Sequence, residues 1–128
     1  MSNQDVLNYC HEMLLGNSQL QHMQNRNIVS RAYYFTYYEC IEHVQNRLSW
    51  EETVYNGGVH ARMLSRLLDK ASGDTRKIKQ AALLHNRMIN LKKLRTQADY
   101  RLQLNITRAT AEYCVIEAGK IGVDLSNL

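Results

Sequence analysis

The sequence predicts an all-α fold, an antiparallel bundle of four to five helices, on three observations. None of the 128 residues is proline, so no position is barred from a helix interior by a missing N–H. Gly57 and Gly58 form the one glycine pair, with Gly16 and Gly73 as isolated breaks between periodic segments. Within those segments apolar residues recur every three or four positions, the signature of one buried helix face. A chain of this length is most economically one domain, residues 1–128, and can bury a core without disulfides or a structural metal.

The elements follow in order. Ser2 with Asp5 reads as a capping box opening a helix over 3–15, which stops near Gly16. Residues 17–25 are polar and ambiguous. A second helix over 26–48 carries Val29, Tyr33, Tyr37, Cys40, Val44 and Leu48 on one face. Residues 49–57 are the least regular stretch, with room for one helical turn opened by Ser49 and Glu52. A third helix over 58–72 sets Val59, Met63 and Leu67 on one side and Arg62, Arg66 and Lys70 on another. "SGDT" breaks it, and Asp74 or Thr75 is placed to cap a fourth helix over 75–100. There Ala81, Leu84, Met88, Leu91, Arg95 and Ala98 form the inward stripe. An inward arginine must find an anion or several acceptors. Asn105 would cap a fifth helix over 106–121, with Ile106, Ala109, Tyr113 and Ile116 inward.

Charge is unevenly spread. The net charge is +4, yet residues 1–56 carry three Arg against six Asp/Glu, while residues 76–108 carry nine Lys/Arg against Asp99 alone. Such clustering suits attraction of a polyanion. Three widely spaced cysteines, Cys10, Cys40 and Cys114, fit free buried thiols in a reducing compartment. The N-terminus lacks a signal-peptide pattern and no apolar run is long enough to span a membrane, so a cytoplasmic protein is expected.

Few residues suggest metal or cofactor chemistry, and none is expected. Cys40 and His43 lie three apart with no second pair. His85 shares a stripe with Ile78, Ala82 and Ile89, as a hydrogen-bonded core histidine would. No Gly-rich phosphate loop or Ser-His-Asp pattern is present. The tyrosines are more telling. In "SRAYYFTYYEC", Tyr33 and Tyr37 read as core, whereas Tyr34 and Tyr38 form a second face that could stack on a base or on a partner helix.

Three motifs carry a resemblance. "RAYYFTYY" (31–38) is followed by "GVHARML" (58–64) opening a helix, then by "LRTQADY" (94–100) closing a long one. This order, over roughly residues 5–120, resembles the small stand-alone prokaryotic HEPN-domain proteins. The resemblance implies a homodimer about a two-fold axis, in toxin–antitoxin pairs or phage defence, often beside a partner such as a minimal nucleotidyltransferase. Active members are metal-independent ribonucleases whose signature is an Arg followed, after four to six residues, by a His. Histidine moves the proton of the attacking ribose 2′-OH and arginine stabilises charge on the phosphoryl oxygens.

Here Arg95 matches the signature arginine, but the three histidine positions hold Tyr100, Arg101 and Leu102, and no other arginine is followed by a histidine at that spacing. The resemblance then implies a binding or regulatory member for RNA, a nucleotide or a partner protein. Arg95, Asp99, Tyr100 and Arg101 would line the site, with Arg31 and Tyr34 nearby. One alternative is a ribonuclease pairing Arg95 with Tyr100, His60 or His85. His85 sits about 15 Å before Arg95 along an ideal helix. The other is an antitoxin or assembly subunit without a nucleic-acid ligand.

Overall fold

Ser2 and Asp5 open the chain as predicted: the Ser2 backbone N–H donates to Asp5 Oδ2 at 2.8 Å and starts α1, Asn3–Leu15. The computed structural model describes residues 1–53 and 57–128. Its further helices are α2 (Gln21–Cys40), α3 (Val59–Asp69), α4 (Thr75–Tyr100) and α5 (Arg108–Ser126), and there is no strand among the described residues. A π-helical stretch, Ile41–Arg47, continues α2. None of these helices is long and apolar enough to cross a membrane.

Helix α2 begins five residues before the predicted start. Its polar first turns are helical because their side chains serve other segments. Gln24 Nε2 donates to the Met13 carbonyl at 2.7 Å and Asn25 Nδ2 to the Ile106 carbonyl at 3.0 Å. Arg26, only 4% exposed, donates to the carbonyls of Gln97, Ala98, Arg101, Leu102 and Leu104. It thereby serves carbonyls in the last turn of α4 and in the turn that follows it.

At the other end of α2 the hydrogen bonds lengthen in register, Leu48 N donating to His43 O at 2.9 Å. The chain then turns through Ser49, at φ +55°. Residues 49–53 form no helical turn, and 54–56 lie outside the described residues. Buried Trp50 and Thr53 anchor this return: Arg66 Nη1 donates to the Trp50 carbonyl at 2.8 Å, and the Thr53 and Ser65 hydroxyls bond to each other. These ties fix where α3 starts. Met63, Leu64 and Leu67 face inward, whereas Val59, expected on that face, is exposed.

Asp74 caps α4, accepting from Lys77 N at 2.8 Å, after Gly73 takes a left-handed φ of +119°. The buried residues of α4 are Ala81, Leu84, Met88, Leu91, Arg95 and Ala98, the stripe read from the sequence.

Three expectations need correction. Helix α5 is capped by Thr107, not Asn105, its hydroxyl accepting from Thr110 N at 3.1 Å. It buries Ala111, Cys114, Val115, Ala118, Ile121, Gly122 and Leu125, while Ala109, Tyr113 and Ile116 face solvent. The helix is apolar on two sides, and the smaller residues pack closer to α2. The bundle is also not uniformly antiparallel. Asn25 meets Ile106 at one end and Arg47 meets the Leu125 carbonyl at the other, so α2 and α5 run the same way. His60 at the start of α3 meets Tyr33 and Arg66 near its end meets Trp50, so α3 runs with α2 as well, and the hairpin of α4 and α5 lays its second arm beside α2. Gly122 permits the approach: a Cβ there would lie 3.0 Å from the Phe35 ring.

Candidate anion-binding site

Three helices converge on Arg95. Helix α2 supplies Ser30, Tyr33, Tyr34 and Tyr37, the first turn of α3 supplies His60, and the last third of α4 supplies Lys92, Arg95 and Asp99. The Arg95 guanidinium carbon lies 5.3 Å from the centre of the Tyr33 ring and 5.5 Å from that of Tyr34. Two electron-rich faces therefore cradle one cation. Arg95 is 7% exposed, and its Nε finds no hydrogen-bond acceptor among the described residues. Its nearest anion, Asp99, sits with Oδ2 3.6 Å from Nη1, which is proximity without a good hydrogen bond. Ser30 Oγ donates to the same Oδ2 at 3.3 Å. A nearly buried guanidinium with a donor to spare is chemically suited to receive an anion.

His60 completes the aromatic wall. Its ring stacks on Tyr37 with centroids 4.3 Å apart and stands edge-on to Tyr34 at 5.7 Å. Its Nδ1 is 2.8 Å from the Tyr33 hydroxyl. Burial, then the charges of Arg95 and Lys92, hold the His60 pKa below its usual value. Burial likewise pushes the Tyr33 hydroxyl up, so it keeps its proton. The Tyr33 hydroxyl and His60 Nδ1 thus share one hydrogen bond between a phenol and an imidazole whose charged form is disfavoured.

Lys92, whose charge reaches His60, also lines a groove of about 430 Å³ along α4, with Ile89, Lys93, Thr96, Gln97, Arg101 and Leu104. The residues singled out in the sequence divide accordingly. Arg95, Asp99, Tyr34 and His60 come together. Arg101 lines the groove along α4, and Tyr100, the last residue of that helix, is 72% exposed. Arg31 is exposed on α2, where its charge acts on Cys10. His85 is half-buried, with Asn86 as its only hydrogen-bond partner among the described residues, not a core histidine.

Sequence reasoning missed Ser30, Lys92 and the clamp at Arg26. A signal existed for two of them: Arg26, Ser30, Tyr33 and Tyr37 fall at spacings of 4, 3 and 4, a buried stripe with polar members. The three cysteines are buried free thiols. Among the described residues no cluster of three His, Cys, Asp or Glu could hold a metal ion. No protein-family model, curated protein or solved structure matches the chain.

Proposed function

We propose that the chain is a HEPN-like cytoplasmic protein that binds RNA as a homodimer, in a regulatory rather than catalytic role, within a prokaryotic toxin–antitoxin or phage-defence setting and beside a partner such as a nucleotidyltransferase. The observation that carries this reading is Arg95: nearly buried, cradled by two tyrosines, and with no acceptor for its Nε among the described residues. The basic groove beside it supports a polymeric anion over a single ion. Exposed Tyr100 and Leu102, at the end of α4 that carries Asp99, support a dimer surface there. Sedimentation giving a monomer would remove that part.

The test is RNA affinity against salt. Lys92, Lys93, Arg95 and Arg101 are four cations that can each release a counterion from single-stranded RNA, which gives a log–log slope of about −3. A flat response, or no binding at low salt, would favour an assembly subunit without a nucleic-acid ligand. A second reading has one observation in its favour: His60 contacts the same two tyrosines as Arg95 and is neutral, as a proton acceptor must be. RNA cleavage in EDTA that disappears in both Arg95→Ala and His60→Gln would establish a ribonuclease instead.

A further inference from the structure

Asp99 is out of place in a simple anion site. A carboxylate 3.6 Å from the receptor guanidinium opposes every phosphate that approaches, unless the ligand also gives it a hydrogen. It is not consumed as a structural partner. Its side chain is 27% exposed and its separation from Arg95 exceeds a good hydrogen bond. Of its two oxygens only Oδ2 accepts a hydrogen bond among the described residues, from Ser30. Oδ1 accepts none there, and the part-exposed side chain leaves it open to a donor on a ligand. The cluster therefore suits an anion and a hydroxyl donor at one short spacing, beside an aromatic wall.

Among nucleic acids that combination separates RNA from DNA. In RNA the 2′-hydroxyl stands on the carbon next to the one bearing the 3′-phosphate, so donor and anion arrive together at every internal nucleotide. DNA offers the phosphate alone. The exposed part of Tyr34, with Tyr38 beside it at 6.3 Å between ring centres, gives a base somewhere to stack without reading its identity. Resting on the RNA-binding reading above, we propose that Asp99 accepts a hydrogen bond from a ribose 2′-hydroxyl while Arg95 holds the adjoining phosphate, so that the site selects single-stranded RNA over DNA of the same bases. Asp99 is then a specificity-determining residue.

The experiment compares three fluorescein-labelled strands of one length at low salt: oligouridylate, its 2′-deoxy counterpart and its 2′-fluoro counterpart. The fluoro strand keeps the RNA-like sugar pucker but cannot donate. The wild-type protein should prefer oligouridylate to both others by about ten-fold, the worth of one hydrogen bond to a charged acceptor. In Asp99→Ala the preference should collapse to near unity. In Asp99→Asn, whose amide oxygen still accepts, it should survive, with tighter binding of all three strands because the repulsion is gone. If Asp99 merely steadied Arg95, Asp99→Ala would weaken all three strands alike and leave their ratio intact, which overturns the proposal. So does a 2′-fluoro strand that binds like RNA. A wild-type protein that binds RNA and DNA equally overturns the selectivity and leaves RNA binding standing, whereas one that binds neither overturns both.

Discussion

Replacing Arg95 with methionine should leave the protein as stable as before or more so. The lost interactions are few. Two cation–aromatic contacts at 5.3 and 5.5 Å contribute about 2 kcal/mol each in a largely desolvated site. The i,i+4 pair with partly exposed Asp99 adds a few tenths of a kcal/mol, roughly, in the less favourable order. Against these stand the desolvation of a guanidinium that is 7% exposed, which costs several kcal/mol, and the orphaned Nε, which costs about 1–3 kcal/mol. Methionine also fills a slot between two rings well, sulfur–aromatic contacts contributing about 0.3–1.5 kcal/mol. The balance is a gain of about 0–2 kcal/mol, or a melting temperature higher by as much as roughly 8 °C at this chain length. Thermal and urea denaturation followed by circular dichroism measure it directly. A loss of about 3–5 kcal/mol, the usual cost of breaking a buried charge pair, would mean that Arg95 holds the fold together, and the receptor argument would fail.

The same substitution at the other buried arginine should do the opposite. Arg26→Met strips the donors from five carbonyls around the end of α4 and should cost about 3 kcal/mol in urea denaturation. Gly122→Ala drives a methyl into the buried Phe35 ring and should destabilise by about 1–3 kcal/mol; an unchanged melting temperature would show that α5 sits farther from α2. His60 has a folded pKa below its unfolded value of about 6.5, so the unfolded chain binds more protons in between. Wild-type stability should therefore be full above that unfolded value and fall as pH drops through the folded one, a loss that His60→Gln should lack when both are melted across pH 4–8 (roughly the range over which histidines titrate).

What the sequence made legible was local. The α4 stripe, Arg95 included, follows from spacing alone because that helix has one apolar face and no break. The start of α2 did not, because Gln24, Asn25 and Arg26 look like a loop until the carbonyls they serve are in view. In α5 two apolar faces compete, and periodicity cannot say which one meets Phe35. The candidate site divides along the same line. Arg95 with Asp99 is an i,i+4 pair on one helix and could be read directly. His60 reaches them only because the π-helical stretch and the return through Trp50 and Thr53 set the start of α3 beside Tyr33, a tertiary fact with no sequence period.

The most direct test pairs stability with binding in one variant. Fluorescence anisotropy of labelled oligouridylate at low salt should show the affinity of Arg95→Met reduced at least about ten-fold relative to the wild type, the loss of one charge-assisted contact, in protein whose melting temperature has not fallen. Undiminished affinity in that folded variant would contradict the claim that Arg95 is kept nearly buried and only loosely paired in order to receive an anion.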